Sequence, residues 1–222
     1  MIVTIDGPAA AGKSTAARAL AERLGFDFLD TGAMYRAVTL AALRRGVPLA
    51  DEQALEELAS SLRIELVGHS VWLDGEDVSV AIRDVEVTKH SRNVADSPGV
   101  RRQMVVLQRE AGRSHNIVAE GRDQGTVVFP DAACKFFLTV DPLVRAERRQ
   151  VDLAKRNLHI TVEQVLADQN ERDQRDASRA IAPMIPAADA IHIDSSNMSL
   201  AEVVNTLEQR VRQKQAQLAQ NG

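Results

Sequence analysis

The chain has 222 residues, of which 45% are hydrophobic and 26% charged, and a formal net charge of −4 at pH 7. These values describe an ordinary globular protein, and the negative charge excludes a basic nucleic-acid footprint. No apolar run approaches the roughly 20 residues of a membrane span. Because Cys134 is the single cysteine and no cleavable apolar leader precedes Asp6, we expect a reducing, cytoplasmic location.

The first predicted element is an apolar strand at residues 1–5, followed from Gly7 by the spacing G-x-x-x-x-G-K-[ST] of a phosphate-binding loop. In such a loop the backbone curls until its N–H groups face phosphate oxygens, and the next helix adds the positive end of its dipole. Lys13 is expected to reach the β- and γ-phosphates, and the Ser14 hydroxyl to ligate Mg²⁺. The alternative is an ordinary strand-to-helix turn with an exposed lysine. The predicted nucleotide-binding residues are Gly7, Pro8, Ala9, Ala10, Ala11, Gly12, Lys13, Ser14 and Thr15.

The segments after the loop alternate between helical and strand patterns. A helix is predicted over 14–24, a short strand over 26–29, a turn at 30–32 and a second helix over 33–45. A third helix is expected over 51–62. The order β-α-β-α predicts an α/β fold with a parallel sheet and helices on both of its faces.

The pattern of predicted elements changes between residues 63 and 95. Strand-like segments at 63–67 and 70–73 are separated by Gly68-His69, and Asp74-Gly75 predicts a tight turn into another antiparallel strand. We therefore expect residues 63–95 to form an insertion with its own small antiparallel sheet.

The remaining elements return to the α/β pattern. Pro98 suits the first position of a helix that runs to about Arg113, and capping-box spacing begins helices after Thr161 and Ser199. An arginine-rich helix over 142–155 is expected to belong to a helical lid at about 141–158. Core strands are expected at 116–119, 135–140 and 190–193, with Cys134 buried beside the second of them. We expect one domain over residues 1–222.

Two groups of polar residues follow predicted strands. Asp30-Thr31-Gly32 leads into a helix that carries Arg36, and Gly121-Arg122-Asp123 follows the strand at 116–119. Ligands of open α/β sheets bind at the carboxyl ends of the strands, where an arginine suits a phosphate and a carboxylate suits an amino group. The alternatives are a solvated helix arginine for the first group and a surface ion pair for the second.

A third group is the charged run at residues 171–179. At about 100° per residue, Val165, Arg172, Asp176 and Arg179 fall within about 60° of one another on a helix. The charges thus continue a stripe that is apolar one or two turns earlier. Charges on a core-facing stripe are costly unless they are paired or bound to a ligand, so we favour a functional role over a solvated helix face.

A phosphate loop together with many separate arginines indicates two phosphorylated ligands in one site. Three further arginines, Arg145, Arg148 and Arg149, lie in the predicted lid. Phosphoryl transfer requires in-line positioning and neutralised charge. A nucleoside monophosphate acceptor needs no catalytic base, because its second phosphate pKa of about 6 leaves the attacking oxygen anionic.

These motifs together resemble the bacterial cytidylate kinases, the long form of the nucleoside monophosphate kinases. The resemblance spans essentially the whole chain. It rests on Thr4-Ile5-Asp6-Gly7-Pro8 leading into the phosphate loop, Asp30-Thr31-Gly32-Ala33-Met34-Tyr35-Arg36, Gly121-Arg122-Asp123 with residues 125–132, and Glu171-Arg172-Asp173 through Arg179. The insertion at 63–95 also lies where this family elaborates its monophosphate-binding region.

The resemblance implies that ATP, with Mg²⁺, phosphorylates CMP or dCMP to CDP or dCDP. It implies catalytic roles for Lys13, Arg36 and Arg122, the two arginines holding the CMP phosphate. By position, Thr31, Arg101, Asp123 and Arg179 would surround the cytosine, Arg172 and Asp176 would contact the pentose, and Arg148 and Arg149 would lie on ATP. The implied partners are small molecules only, with no nucleic acid or membrane, and the chain is expected to be a monomer.

One departure from the family pattern and the unassigned Mg²⁺ ligands leave questions open. The family usually has a serine six residues before the proline that begins the Arg101 helix; here Arg92 stands there, with Ser91 beside it. No Mg²⁺ ligand beyond Ser14 is assigned, because the only acidic candidates are Glu120 and Asp123. The alternative functions are a shikimate- or uridylate-type kinase, and a nucleotide-binding switch without an acceptor.

Overall fold

A parallel β-sheet of short apolar strands carries the predicted phosphate loop. The structure is a computed structural model that describes residues 1–68, 70–113, 115–155 and 158–220. Its strands are β1 Ile2–Asp6, β2 Asp27–Asp30, β3 Ile64–Val67, β4 Ser70–Leu73, β5 Glu76–Asp77, β6 Ile117–Glu120, β7 Cys134–Thr139 and β8 Ile191–Asp194. Its α-helices are α1 Lys13–Leu24, α2 Thr31–Arg45, α3 Glu52–Ser61, α4 Val85–Asp96, α5 Pro98–Gly112, α6 Pro142–Ala154, α7 Val162–Ser178 and α8 Leu200–Gln220. The predicted turn residue His69, and positions 156 and 157 of the predicted lid, lie outside the described residues.

The chain divides into two compact units. The first unit comprises Met1–Asp27 and Asn116–Gly222, and the second comprises Phe28–His115. The boundary falls within β2, whose first residue Asp27 donates its N–H to the Asn116 carbonyl. The assignment of the whole chain to one domain stays a prediction.

In the first unit, β1 lies between β6 and β7 and pairs with both in parallel. Val3 stands opposite Val118 on one side and Cys134 on the other. β8 pairs in parallel with β7, and the five-stranded order is β2-β6-β1-β7-β8. Central parallel strands are covered on both faces, which is why β1, β6 and β7 are apolar runs rather than alternating ones. The predicted parallel sheet and the buried Cys134 are confirmed.

Gly7, at the end of β1, lies against the backbone of β7. Its φ is +142°, and a Cβ atom at this position would lie 2.1 Å from the Leu138 carbonyl oxygen. Gly25 is a matched control, since its φ of +66° is also positive but nothing lies within 4 Å of its Cβ position. We expect Gly7→Ala to lower the free energy of unfolding by about 3 kcal/mol or more, and Gly25→Ala by about 1 kcal/mol, in urea titrations. Equal decreases in the free energy of unfolding for the two variants would contradict the close approach of Gly7 to the Leu138 backbone.

The second unit contains the small antiparallel sheet β3-β4-β5. The predicted tight turn is confirmed, because Asp74 and Gly75 both have positive φ, 51° and 87°, as a two-residue type I′ hairpin turn requires. The small antiparallel sheet expected within residues 63–95 is confirmed, and its last strand ends at Asp77. A 3₁₀ turn, Ala81–Arg83, follows, and then α4. Val87 and Val94, two helical turns apart, are buried on one side of α4, and the Asp84 side chain caps its first turn.

Side-chain caps set the beginnings of several helices. Asp30 accepts the N–H of Ala33, so α2 begins at Thr31 rather than at the predicted residue 33. The predicted capping box at Thr161 is confirmed by reciprocal hydrogen bonds with Gln164. The one at Ser199 is confirmed in the same way with Glu202. None of the helices in the described part of the chain is long and apolar enough to cross a membrane.

Candidate active site

The loop between β1 and α1 has the backbone of an anion-binding turn. Ala10 and Gly12 adopt left-handed conformations with φ of 58° and 82°. Left-handed residues placed within such a turn direct neighbouring N–H groups toward a common anion. Ala10 is a non-glycine residue in this costly conformation, and backbone strain of that kind concentrates at functional sites. The loop therefore has the local geometry that its sequence predicts.

Lys13, the first residue of α1, is buried inside this loop rather than exposed to solvent. Only 4% of the residue is exposed, and its Nζ donates to the Pro8 carbonyl at 2.7 Å. Burial, followed by the positive charge of Arg122, lowers the pKa of Lys13 to about 7. Arg172 acts in the same direction, whereas Glu120 and Asp6 oppose the shift. Lys13 thus interacts electrostatically with two arginines, Arg122 and Arg172, that are predicted to bind the acceptor nucleotide. A phosphorylated ligand would be stabilised by these positive charges.

Ser14 faces an acidic side chain from the neighbouring strand. Its hydroxyl donates to Oε1 of Glu120 at 2.8 Å, across 106 residues of sequence. Glu120 is buried at the end of β6, beside the central strand β1. The sequence signal for this residue was an acid that directly follows a buried apolar run. Across the described ranges, no group of three or more histidine, cysteine, aspartate or glutamate side chains is placed to hold a metal ion.

The Asp176 carboxylate pairs with two arginines that are predicted to bind the acceptor nucleotide, Arg122 and Arg179. It lies 3.2 Å from Nε of Arg122 and 2.7 Å from an Nη of Arg179. The three side chains are only 11–20% exposed. Arg122 also donates to the Gly121 carbonyl at 3.0 Å, which fixes its guanidinium above the end of β6. The charged run at residues 171–179 therefore contacts the turn that follows β6. The alternative prediction, a solvated helix face, is wrong for this part of α7.

The same helix also has a solvated side. Arg175 pairs with Glu171 one turn away at 3.2 Å, and both side chains are about half exposed or more, at 49% and 69%. On the buried side, Val165, Gln169 and Asp176 follow one stripe along α7. The helical arithmetic correctly separates the two sides, and Asp123, at the β6 turn, is buried as well.

Arg145 is bound to the phosphate loop. It is 2% exposed, donates to the Ala9 carbonyl at 3.2 Å and pairs with the carboxylate of Asp173. Asp173 in turn accepts the Ala9 N–H at 3.3 Å. One backbone unit of the loop is thus held by α6 and α7 together. The sequence groups Arg145 with the lid arginines, but its contact with Ala9 was not predicted.

A cavity of about 330 Å³ opens beside the phosphate loop. Its walls are mostly small or apolar side chains, and Arg148 contributes a positive charge to them. Arg148 donates to the Ser195 and Ser196 carbonyls at 3.3 and 3.2 Å. The size suits a nucleoside. The lining residues are Ala11, Gly12, Thr15, Ala16, Leu138, Arg148, Ser195, Met198, Leu200 and Val203. Ser195, Met198, Leu200 and Val203 carry no sequence signal for ligand binding, whereas Thr15 and Arg148 are among the predicted ATP-binding residues.

Of the remaining predicted site residues, Arg149 is half-buried on α6 of the first unit, whereas Arg101, Thr31 and Arg36 belong to the second unit. Arg101 is buried, donates to the Ala95 carbonyl at 3.1 Å and has its guanidinium carbon 5.7 Å from the centre of the Tyr35 ring. Thr31 is buried at the start of α2, and Arg36 is half-buried one turn later.

Ser91 and Arg92, the two residues that could correspond to the family's serine, lie in α4 of the same unit. The Ser91 hydroxyl donates to the Thr88 carbonyl of its own helix at 3.0 Å. Arg92, beside it, is half-buried. Both residues stay candidates for the sugar contact.

The fold and the loop with its buried lysine define a P-loop kinase. A solved shikimate kinase from Bacteroides thetaiotaomicron has a TM-score of 0.51 and 12% identity to the chain, covering 96% of this chain and 98% of that one, a likeness that shows the fold alone. The family model described as Cytidylate kinase matches residues 3–213. The chain belongs to the cytidylate kinase family, whose members are nucleoside monophosphate kinases.

Curated relatives named cytidylate kinase support the same assignment. The protein of Rhodopirellula baltica is 46% identical over 213 residues, covering 96% of this chain and 93% of its own length. That of Solibacter usitatus is 48% identical over 216 residues, with the same two coverages of 96% and 93%. That of Pelotomaculum thermopropionicum is 48% identical over 214 residues, covering 94% and 95%.

Proposed function

We propose that this chain transfers the γ-phosphoryl group of ATP to CMP or dCMP, giving ADP and CDP or dCDP. One observation carries the proposal: the buried phosphate-loop Lys13 lies in the field of two arginines, Arg122 and Arg172, from other elements. A switch that reads a triphosphate without an acceptor has no need of this second set of cations. Two anionic ligands brought together during transfer do need it.

The donor half is built on the first unit. Backbone N–H groups of the loop after Pro8, which has none, bind the β- and γ-phosphates, and the Lys13 ammonium neutralises charge on the transferring oxygens. The cavity next to Thr15 and Arg148 receives the donor base. Arg148 and Arg149 of α6 lie over ATP when the lid closes. Closure excludes water, which would otherwise compete with CMP for the γ-phosphoryl group.

The acceptor half is the cluster around Asp176. Arg122 binds the CMP phosphate, while Arg172 and Asp176 contact the pentose. Asp123 and Arg179 contact the base, since a carboxylate matches the exocyclic amino group of cytosine. Arg36 as a ligand of the phosphate, and Thr31 and Arg101 as ligands of the base, stay predictions from the sequence. No residue needs to remove a proton, because the acceptor oxygen is already anionic near neutral pH.

The residues next to Ser14 fit Mg²⁺. The ion prefers oxygen ligands and is usually held by one or two protein groups together with water and substrate phosphates. The Ser14 hydroxyl and the Glu120 carboxylate are oxygen donors 2.8 Å apart at the end of the phosphate loop. A bound Mg²⁺ would neutralise charge shared between the β- and γ-phosphates. Ser14 and Glu120 would hold it, with Glu120 binding directly or through water.

The substrate assignment is tested by measuring ATP consumption with CMP, dCMP, UMP, AMP and shikimate as acceptors. We expect CMP and dCMP to give kcat/KM values at least about tenfold above the other three, because the Asp123 carboxylate selects an amino group. A higher value for UMP, AMP or shikimate would overturn the substrate. Triphosphate hydrolysis that no acceptor alters would instead favour a switch. The monomeric state and the cytoplasmic location stay predictions.

A further inference from the structure

Asp6, the last residue of β1, directs its carboxylate to the turn that follows β6. Oδ1 accepts the Gln124 N–H at 2.9 Å, and Oδ2 accepts the Gly125 N–H at 2.7 Å. Both hydrogen bonds are buried and span more than 100 residues of sequence. Each carboxylate oxygen therefore holds one backbone N–H of the same turn.

The turn is attached to β1 on both sides of its functional residues. Before them, Gly121 donates its N–H to the Ile5 carbonyl at 3.1 Å. After them come the two hydrogen bonds to Asp6. Arg122 and Asp123 are the residues between these attachments. Their backbone positions thus depend on β1 at both ends.

The contact between the turn and β1 leaves no spare room. A Cβ atom on Gly125 would lie 3.0 Å from Oγ1 of Thr4 and 3.4 Å from Oδ2 of Asp6. Gly125 also lies within a π-helical turn, Gln124–Val128, whose irregular backbone is common at functional sites. The turn lies directly on β1 because residue 125 has no side chain.

Keeping a carboxylate at this position is costly. Asp6 is 4% exposed, and burial raises its pKa to about 6 despite the two N–H groups and the nearby Lys13 charge, which favour ionisation. The Asp123 carboxylate adds to the increase. An apolar side chain would avoid this penalty, but it would leave two buried N–H groups without partners. A buried charge that lowers stability but provides two hydrogen bonds of defined geometry is expected near a functional site.

We infer that Asp6 is a positioning residue for the acceptor nucleotide, holding the turn that places Arg122 and Asp123. Asp6 directly precedes Gly7, the first residue of the phosphate loop. Its carboxylate nevertheless acts on the acceptor side, through the turn it holds. The inference rests on the proposed acceptor role of Arg122 and Asp123.

The test compares Asp6→Asn with Thr4→Val, a matched control on the same strand. Asparagine keeps the size of the side chain but offers one acceptor oxygen for two N–H groups. We expect the KM for CMP to rise about tenfold or more, with the KM for ATP within about twofold of the parent value. The buried Thr4 hydroxyl has no hydrogen-bond partner, so Thr4→Val should change neither KM.

A second variant disturbs the same contact from the turn and leaves β1 unchanged. In Gly125→Ala the new methyl group lies 3.0 Å from Oγ1 of Thr4 and 3.3 Å from Cδ of Lys135, so the turn and its neighbours must shift by a few tenths of an ångström. We expect the same selective rise in the KM for CMP. The double variant Gly125→Ala/Thr4→Ala removes the obstructing oxygen and should restore much of the CMP affinity. A purely destabilising effect would not show this rescue.

Each of the following results would overturn the inference. Both KM values could stay unchanged while only the melting temperature or the active fraction falls, which would make Asp6 structural. The KM for ATP could rise as much as that for CMP, which would place Asp6 with the phosphate loop. Arg122→Ala, measured in parallel, could leave the KM for CMP unchanged. In that case the acceptor role of Arg122 fails, and the inference fails with it. A rise with Arg122→Ala but not with Asp6→Asn or Gly125→Ala overturns the inference alone.

Discussion

Replacing Lys13 by alanine is expected to lower kcat for CMP phosphorylation about a thousandfold while the chain stays folded. The ammonium is buried in the phosphate loop, where a charge acts more strongly on the transferring oxygens than it would in water. Folding should depend on it little, because burial already disfavours the charged form and lowers its pKa to about 7. Steady-state kinetics and urea unfolding of the same preparation measure the two effects.

Lys214→Ala is the control for this variant. Lys214 is half-buried on α8 and has no proposed role in either nucleotide site. Its replacement should leave kcat within about twofold of the parent value. Full activity of Lys13→Ala would contradict the phosphate-loop assignment. Loss of the folded state would instead show that the lysine supports the loop, for which its hydrogen bond to Pro8 is the structural basis.

The second large effect is expected from Asp176→Asn, which removes the charge shared by Arg122 and Arg179. Both guanidinium groups lose the carboxylate that orients them, at distances of 3.2 and 2.7 Å. Because Asp176 is also proposed to contact the pentose, the KM for CMP should rise about 10- to 100-fold. Unfolding should become easier by about 1–3 kcal/mol, because two partly buried cations lose their partner. The KM for ATP should change much less.

Glu171→Gln provides the comparison on the same helix. It breaks the exposed pair with Arg175, and exposed pairs contribute only about 0.3–0.5 kcal/mol within a helix. We expect unchanged KM values and nearly unchanged stability. If Asp176→Asn lowers stability but leaves the KM for CMP unchanged, Asp176 is a structural residue. The sequence predicted a sugar contact for Asp176, and the structure adds its hold on the two arginines.

Local patterns predicted most of the element order. The apolar strand before Gly7, the two capping boxes and the Asp74-Gly75 turn are each encoded within a few neighbouring residues, and each is confirmed. The stripe on α7 was found in the same way, because 3.6-residue periodicity makes its buried side readable. The missed helix α4 shows the limit of this approach. Its apolar positions Val87 and Val94 are sparse, and the preceding hairpin suggested more strands.

The sequence by itself determined the class of chemistry: a phosphate loop, its lysine and its serine lie within eight consecutive residues. Only the tertiary structure decided which distant groups meet around that loop. Glu120 meets Ser14, Asp6 holds the turn at Gln124, and Arg145 binds Ala9 across 136 residues. These contacts arise where parallel strands end side by side and where α6 and α7 reach the loop. No local period or spacing records such contacts, because the partners become neighbours only through strand order and helix packing.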